Sequence, residues 1–199
     1  MTIATPSLDK VREAIVGVAG VGVGRGAGRR VFVDAVDSPL GPLLLGTTGR
    51  GLCLLEFADA DEPAAKLERF ARRFDVEVVP GRSAIGEELA GELAAYFAGT
   101  LEDFRTPLDL LGTDFQQRAW RALREIPYGE TRSYADQARA IDAPRAVRAV
   151  ASANGQNRVI IVVPCHRVIG SDGSLTGYGA GVWRKEFLIE LERRQIPLL

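Results

Sequence analysis

The sequence changes its pattern once, near Thr106-Pro107, and this change limits the chain to an architecture of two parts. Before that point, short apolar runs alternate with segments of helical periodicity, which is typical of a mixed α/β unit. After it, helix starts and turns dominate. The chain has 199 residues, 46% of them hydrophobic and 26% charged, which excludes collagen-like and wholly disordered chains. We therefore predict an α+β protein with domains at residues 31–105 and 106–199, preceded by a flexible leader at residues 1–30.

The leader lacks the pattern of a packed element. Six glycines recur between Gly17 and Gly28, which favours a short helical or frayed start followed by a flexible linker. The stretch from Gly22 to Ala27 formally matches the G-x-G-x-x-A dinucleotide fingerprint. A strand-like segment follows it, however, where the fingerprint requires a helix. The linker interpretation is therefore favoured over a nucleotide site.

Four strands and two helices are predicted for the first domain. Apolar runs bounded by turn residues predict the strands, and apolar residues at helical spacing predict the helices. The strands are residues 31–36, 43–45, 52–57 and 76–79, and the helices are residues 62–74 and 86–98.

Helices dominate the prediction for the second domain. Asp114 and Ser133 are suited to cap its first and second helices, and Pro144 suits the first turn of the third. The second and third helices, joined by three residues, have the spacing of a helix-turn-helix. Five consecutive β-branched residues at 159–163 predict a buried strand or extended core segment. The predicted helices are residues 115–125, 134–141, 144–153 and 183–194.

Charge is distributed unevenly along the chain. The first 105 residues carry 12 Lys/Arg and 16 Asp/Glu, whereas the remainder carries 13 and 10. This asymmetry predicts that an anionic partner binds the second domain. In the predicted third helix of that domain, Arg145 and Arg148 lie one turn apart, and a solvated charged face is the ordinary alternative. The small residues that permit this helix to approach another surface closely are Ala146 and Ala149.

The two cysteines differ in their surroundings. Cys53 lies within an apolar strand and is interpreted as a packing residue. Cys165 is followed by His166, the only histidine, and a neighbouring base can make a thiol nucleophilic. Two cysteines and one histidine supply at most three ligands, so a zinc site is disfavoured. Two cysteines do not form a secreted disulfide framework, and no run of 18 apolar residues occurs, so we expect a reducing compartment and no membrane span.

Several motifs follow one another in the second domain. They are Phe115-Gln-Gln-Arg-Ala-Trp120, Pro127-Tyr-Gly-Glu-Thr131, Ser133-Tyr134, Arg148-Ala-Val150, Pro164-Cys-His-Arg-Val-Ile169, Gly173-Ser-Leu-Thr-Gly-Tyr178, Arg184-Lys185 and Glu192. In this order the sequence resembles the O6-alkylguanine-DNA alkyltransferase family, the methylated-DNA–protein-cysteine methyltransferases. The resemblance is dense over residues 106–192, weaker over 31–104 and absent from 1–30. It implies a small ribonuclease-H-like α/β domain followed by a mostly helical, winged helix-turn-helix-like domain.

The resemblance implies a role for each member of a catalytic group. Cys165 would accept the alkyl group, His166 would take its proton through a water, and Glu192 would orient the imidazole. Asn157 would brace the turn before the active-site segment, and Lys185 would lie near the reacting centre.

The same resemblance implies residues that extrude and enclose the target base. Tyr134 would press on the target phosphate and donate to guanine N3, while Arg148 would enter the stack in place of the flipped base. Tyr178 and the loop after it would cover that base. The further expected DNA-binding residues are Arg145, Ala146, Ala149, Ser152 and Arg158, and the expected pocket residues are Pro164, Val168, Tyr178 and Gly179.

Four departures from the family pattern bear on function. Arg158 replaces a frequent proline and would either add a phosphate contact or stiffen the segment less, and Ala151-Ser152 makes the groove contact slightly bulkier where glycine is frequent. Gly179-Ala-Gly181 predicts a flexible pocket rim that admits larger alkyl groups. The cysteine cluster of the zinc-containing regulatory members is missing, so transcriptional activation is not supported.

These features predict stoichiometric DNA repair, with an alkyl group passing from O6-alkylguanine in duplex DNA to Cys165 in a single turnover. O4-alkylthymine is a further candidate substrate. We expect no cofactor, no metal, no obligatory protein partner, a monomer, and a cytoplasmic protein that associates with the nucleoid when bound. The alternatives are a non-catalytic protein that binds alkylated DNA, a plain helix-turn-helix regulator, and a cysteine hydrolase.

Overall fold

The computed structural model divides into two compact units. The structure describes residues 5–20, 28–59 and 63–194. The candidate nucleotide fingerprint at residues 22–27 lies outside these ranges. Within them, no helix is both long enough and apolar enough to cross a bilayer. The first unit comprises Met1–Phe97 with Phe104–Leu110, and the second comprises Ala98–Asp103 with Leu111–Leu199.

A four-stranded sheet forms the centre of the first unit, in the order β3-β2-β1-β4. Strands β1 and β2, and β2 and β3, pair antiparallel, while β4 is parallel to β1. The four predicted strands and both predicted helices are confirmed, with small differences at their ends. The strands are β1 (Arg29–Val36), β2 (Leu43–Thr48), β3 (Gly51–Phe57) and β4 (Val76–Pro80), and the helices are α1 (Leu8–Gly17), α2 (Pro63–Phe74) and α3 (Ala84–Phe97).

Helix α1 lies inside the segment predicted as a leader, where a helical start was one of the two expected forms. The Ser7 hydroxyl caps it, and Val11 and Ile15 are buried as α1 packs against β1 and α2. The Arg12 guanidinium binds the Asp34 carboxylate of β1 at 3.3 Å. The leader therefore contributes a packed helix to the first unit.

Three helices pack together in the second unit around a core of small side chains. The core residues are Ala119, Ala138, Ile141, Val150 and Ala153. Two short strands pair in parallel, and their ladder joins the start of α5 to the segment that follows Cys165. The elements are α4 (Asp114–Arg124), β5 (Arg132–Ser133), α5 (Tyr134–Ala140), α6 (Val147–Gly155), a 3-10 helix (Cys165–Arg167), β6 (Val168–Ile169) and α7 (Val182–Arg194).

Of the two N-cap residues predicted for α4 and α5, only one is correct. Ser133 caps α5 as predicted, and its capping box with Asp136 is complete. For α4 the prediction was wrong by one residue, because Thr113 is the cap and Asp114 is the first helical residue. Gln116 completes that capping box, which a cap at Asp114 would not allow.

The third predicted helix begins later than expected. Helix α6 starts at Val147, so residues 141–146, rather than three residues, connect α5 to α6. The Ala146 amide donates to the Ala143 carbonyl at 2.8 Å, which places Pro144 inside a turn. The fixed φ of proline suits a turn as well as a first helical turn. Arg145 therefore precedes α6, and its predicted place on one helical face with Arg148 was wrong.

The predicted strand at residues 159–163 was also wrong, although the segment is buried as expected. Its backbone forms local turns, with the Val163 amide donating to the Val159 carbonyl at 2.9 Å. The Asn157 side chain binds the same loop at both ends, through the Val159 amide and the Val163 carbonyl. These local hydrogen bonds replace a ladder, so bonds between the Asn157 side chain and the nearby backbone override the β propensity of the segment.

Candidate active site

Cys165 begins the 3-10 helix, directly after the loop that winds around Asn157. The Asn157 side-chain amide donates to the Val163 carbonyl at 2.8 Å and to the Cys165 sulfur at 3.2 Å. Both side chains are buried. One amide therefore shapes the loop and also supplies a hydrogen-bond donor to the sulfur, which favours the thiolate.

His166, Arg167 and Glu192 form a buried polar network behind the cysteine. His166 Nε2 lies 2.8 Å from Glu192 Oε1. The Arg167 guanidinium donates to both carboxylate oxygens, at 2.9 and 3.0 Å. The Gly129 amide donates to Glu192 Oε2 at 3.1 Å, so helix α7 is tied to the turn before β5. His166 Nδ1 is buried and has no hydrogen-bond partner among the described residues.

Burial sets the protonation states of this network. Burial raises the pKa of the Cys165 thiol, although the Asn157 hydrogen bond and the Lys185 charge act against this rise. Burial also lowers the pKa of His166 below its usual 6.5 and outweighs the nearby Glu192 carboxylate. Burial alone would raise the pKa of Glu192, but the bonds from His166 and Arg167 lower it to about 2. At neutral pH the thiol and imidazole are neutral and the carboxylate is ionised.

Because an ionised carboxylate only accepts hydrogen bonds, Glu192 requires that His166 carry its proton on Nε2. The unpartnered Nδ1 then holds a lone pair and can accept a proton. This arrangement has the nucleophile, base and orienting carboxylate that activated cysteine sites share.

Tyr134 and Lys185 meet at the wall that β6 and the glycine-rich loop form. Lys185 Nζ donates to the Val168 carbonyl at 2.6 Å and to the Thr176 carbonyl at 2.8 Å. The Tyr134 hydroxyl donates to the same Thr176 carbonyl at 3.2 Å, and Lys185 Nζ lies 5.9 Å from the Tyr134 ring centre. Lys185 is fully buried, and its charge influences Cys165. The two side chains therefore share the Thr176 carbonyl as an acceptor.

The predicted pocket residues differ in exposure. Pro164, Val168 and Tyr178 are buried, whereas Gly179 is exposed. The Tyr178 hydroxyl is buried without a hydrogen-bond partner in the described part of the chain, and burial raises its pKa well above 10. Cys165 also contributes to this rise, which places the phenol near the sulfur.

Helix α7 holds the rim of this pocket. The Arg184 guanidinium is buried and donates to the Ala180 carbonyl at 3.0 Å. The Gly181 amide donates to the Tyr178 carbonyl at 2.9 Å. The sequence predicts a flexible rim at residues 179–181, but these bonds attach it to the first turn of α7. The glycines alone did not reveal Arg184 as the residue that binds the rim.

The predicted DNA-binding residues lie on or beside α6. Arg148, Ala149 and Ser152 are exposed on the helix itself. Arg145 is exposed in the preceding turn, Ala146 is the N-cap residue, and both thus lie just before the helix. Arg158 follows the helix and is partly buried. The structure therefore places Arg148 with small side chains on the exposed face of α6, and Arg145 and Arg158 beyond its two ends.

Two contacts of the site went unnoticed in the sequence. No role was predicted for Arg167, yet its guanidinium binds the Glu192 carboxylate through two hydrogen bonds. Gln137 and Asn154 join α5 to α6 through a buried pair of amides. Among the described residues, no group of three His, Cys, Asp or Glu side chains is arranged to hold a metal ion.

Comparison with known proteins gives matches along most of the chain. The model of the 6-O-methylguanine DNA methyltransferase ribonuclease-like domain matches residues 31–110, and that of the DNA binding domain of the same methyltransferase matches residues 114–194. A "Methylated-DNA--protein-cysteine methyltransferase" of Mycobacterium tuberculosis is 49% identical over 84% of this chain and 95% of that protein. One of Mycobacterium leprae is 47% identical over 83% of this chain and 94% of that protein. A crystal structure of Mycobacterium tuberculosis OGT in complex with DNA aligns with a TM-score of 0.70 and 46% identity, over 85% of this chain and 96% of that one.

Proposed function

The chain belongs to the 6-O-methylguanine DNA methyltransferase family, and on that premise we propose how its residues carry out the reaction. The protein repairs DNA by direct transfer of an alkyl group from O6-alkylguanine to one of its own cysteines. We assign Cys165 as the acceptor. The observation that carries this assignment is the buried group in which Asn157 donates to the Cys165 sulfur beside the His166–Glu192 pair.

The thiol is activated within the reaction, because burial keeps it protonated beforehand. The Cys165 proton passes to His166 Nδ1 by way of one water molecule, and Glu192 stabilises the resulting imidazolium through Nε2. The Asn157 amide and the Lys185 ammonium stabilise the thiolate. The role of Glu192 is thus to fix the tautomer and to balance charge, as in a triad.

The transfer step forms a carbon–sulfur bond and breaks the bond between the alkyl carbon and guanine O6. Its electron pair remains on the guanine, which leaves as an anion and takes up one proton. Hydrogen-bond donors near N3 and O6 stabilise this leaving group. We assign the N3 donor to the Tyr134 hydroxyl, whose ring lies beside Lys185.

Extrusion of the base from the duplex precedes chemistry, because the alkyl group is otherwise buried in the stack. Extrusion costs a few kcal/mol, and a side chain that fills the vacated space recovers part of this cost. We assign this role to Arg148, which is exposed on α6 beside the small Ala149. The contacts with the DNA backbone around the extruded base come from Arg145, Ala146, Ser152 and Arg158.

The product is a thioether on Cys165. Thioethers resist hydrolysis, and the site offers no group that would cleave one, so each molecule reacts once. We further propose that the protein works in the cytoplasm, where a reducing environment keeps the acceptor thiol free. We also retain residues 31–105 and 106–199 as its two functional domains.

Intact-protein mass spectrometry tests the assignment of the acceptor. After incubation with a duplex that contains one O6-methylguanine, the wild-type protein gains the mass of one methyl group, located on the Cys165 peptide. The Cys165→Ser variant gains none. Cys53→Ser, which changes the other buried cysteine, reacts like wild type. Binding to the duplex without a mass gain would instead indicate a lesion-binding protein without transfer activity.

A further inference from the structure

A buried pair of side-chain amides links the two helices of the helix-turn-helix. The Gln137 amide of α5 donates to the Asn154 carbonyl oxygen of α6 at 3.1 Å, and the Asn154 amide donates back to the Gln137 oxygen at 2.6 Å. Gln137 also donates to the Ala119 carbonyl of α4 at 3.0 Å. Both side chains are at least 96% buried. The pair therefore fixes three helices at one point.

The apolar contacts around this pair specify geometry weakly. Alanine is the commonest side chain in the buried core between the helices, at Ala119, Ala138 and Ala153, and Val150 and Ile141 complete that core. Such small side chains form a smooth interface with few ridges, whereas hydrogen bonds depend on direction as well as distance. Buried polar pairs in other cores are known to select one helix arrangement among several. The amide pair can therefore define the rotation of α6 relative to α5.

The remaining polar contacts of α6 lie at the same end of the helix. Trp120 Nε1 donates to the Ala153 carbonyl at 2.8 Å, and Gln116 donates to the Gln156 side chain at 3.1 Å. At the other end, the N-cap residue Ala146 makes no side-chain capping bond. The bonds from Trp120 and Gln116 thus hold α6 near its C-terminal end, whereas the first turns, which carry Arg148, are held by the apolar packing of Val147 and Val150.

We propose that the Gln137–Asn154 pair is a positioning device that sets Arg148 of α6 against Tyr134 of α5 for extrusion of the damaged base. Tyr134 lies one helical turn before Gln137, and Arg148 lies on the helix that Asn154 orients. A rotation of α6 would therefore separate the two side chains that act on the same nucleotide. This inference rests on the proposed function, since it assigns the pair to a step of that reaction.

The test compares two duplexes that differ only in the cost of extrusion. One carries O6-methylguanine opposite cytosine, and the other carries it opposite an abasic site, where no pairing must be broken. The variant is Gln137→Leu with Asn154→Leu, which removes both amides together and leaves no buried donor unpaired. Its melting temperature is expected to stay near that of wild type.

The expected result is a selective loss in the single-turnover rate constant. On the paired lesion the double variant slows by about tenfold, as small misplacements of reacting groups do. On the unpaired lesion its rate constant stays within about twofold of wild type, because less extrusion is required. An exchange variant, Gln137→Asn with Asn154→Gln, keeps two amides at the same positions and is expected to recover most of the rate. Gln117→Leu removes an amide outside the pair and serves as the matched control.

Two outcomes would overturn the inference. One is a double variant that matches wild type on both duplexes. The other is an equal loss on both duplexes, which would mark the pair as a general structural support. Failure of the wild-type protein to transfer on either duplex is a different result, because it would contradict the proposed function itself. Should the double variant fail to fold, the single Asn154→Gln variant gives the same comparison between duplexes, and the exchange variant is its control.

Discussion

Glu192 receives more of the active-site hydrogen bonds than any other side chain named in the site. Its two oxygens bind the His166 ring, the Arg167 guanidinium and the Gly129 amide. The carboxylate is buried and ionised, because these donors outweigh the cost of its burial. One residue therefore both orients the base and neutralises a buried arginine.

Replacement of this carboxylate is expected to damage both stability and activity. Glu192→Gln leaves the Arg167 charge buried without its counter-ion, which costs about 3–5 kcal/mol of unfolding free energy. It also replaces one carboxylate oxygen with an NH2 donor, so the side chain no longer requires that His166 carry its proton on Nε2. Chemical denaturation and the single-turnover rate constant measure the two effects. Glu190→Gln, in the same helix but exposed and paired with Arg194, is the matched control and is expected to change neither quantity measurably. A Glu192→Gln protein of wild-type rate would contradict the proposed role.

The pKa of His166 predicts how the transfer rate depends on pH. The imidazole must be neutral to take the thiol proton, and burial lowers its pKa below 6.5. The rate constant is therefore expected to stay constant above pH 6.5 and to fall only at lower pH, as the folded protein begins to protonate His166. Quenched single-turnover reactions between pH 5 and pH 8.5 measure this profile. A rate constant that instead rises steadily above pH 7 would indicate that the free thiolate, rather than the His166 pair, limits the reaction.

The same groups predict loss of stability in acid. The pKa of His166 is lower in the folded protein than in the unfolded chain. Protonation of His166 therefore leaves the free energy of unfolding unchanged above pH 6.5, the usual pKa, and reduces it below that pH. Glu192 contributes fully above its usual pKa of 4.5, and this contribution is lost as the pH falls toward 2. Both groups act in the same direction. Urea denaturation at pH 7 and at pH 5 is expected to give a lower midpoint at pH 5.

At the scale of elements, two capping boxes of the same kind begin α4 and α5. Thr113 and Gln116 form the first, and Ser133 and Asp136 form the second. Only the second lies beside the site, because Tyr134 is the first residue of α5 and β5 pairs with β6 next to Cys165. The two caps thus make similar hydrogen bonds, but only the Ser133 cap lies beside the candidate active site.

This difference gives a matched pair of variants. Ser133→Ala and Thr113→Ala are each expected to reduce the free energy of unfolding by about 1 kcal/mol, since each removes one capping hydroxyl. Only Ser133→Ala is expected to slow transfer from duplex DNA, because it loosens the helix start that carries Tyr134. Thermal denaturation and single-turnover kinetics measure the two effects. Equal transfer rates for the two variants would show that the α5 cap does not affect the reaction.

The element scale also shows where local pattern and tertiary context disagree. Residues 159–163 have the composition of a strand, yet the Asn157 amide and the turn at Ile161, whose φ is 70°, wind them into a loop. This loop places Cys165 beside Asn157 and the buried His166–Glu192 pair. A strand in that place would have extended the backbone past these side chains.

For the whole molecule, charge is separated along the chain although the total is only −1. The chain after residue 105 carries 13 basic and 10 acidic residues, with Arg145, Arg148 and Arg158 on or beside α6, whereas the first 105 residues are acidic on average. Binding to a polyanion is governed by the charges close to the contact, because salt screens charges that lie beyond about one Debye length.

This charge distribution predicts a salt-dependent affinity for unmodified duplex DNA. A plot of the logarithm of the association constant against the logarithm of salt concentration is expected to be linear, with a slope of about −0.9 for each phosphate contact. Arg145→Gln removes one exposed charge beside α6 and is expected to flatten the slope by about one such contact. Arg72→Gln, on an exposed position of α2, is the control. Fluorescence anisotropy from low to moderate salt gives both slopes, and a salt-independent affinity would argue against phosphate contacts.

The sequence by itself predicted the four strands and helices α2 and α3 of the first unit, the cap at Ser133, and the motif around Cys165 in which we propose the acceptor. These features depend on interactions between residues close in the chain, such as periodicity, capping and turn preference, so they are visible locally. The motif also identified the partners His166 and Glu192 through the family resemblance, before any distance between them was known.

Only the tertiary structure decided how these residues meet. The turns at 159–163, the turn before α6 and the bond from Arg184 to the rim join residues two to six apart, in contacts that periodicity and composition do not indicate. The Gln137–Asn154 pair is separated by 17 residues and gives no local signal. Glutamine and asparagine occur on many exposed surfaces. Their burial opposite each other, and hence their role, follows from the packing of α5 against α6 alone.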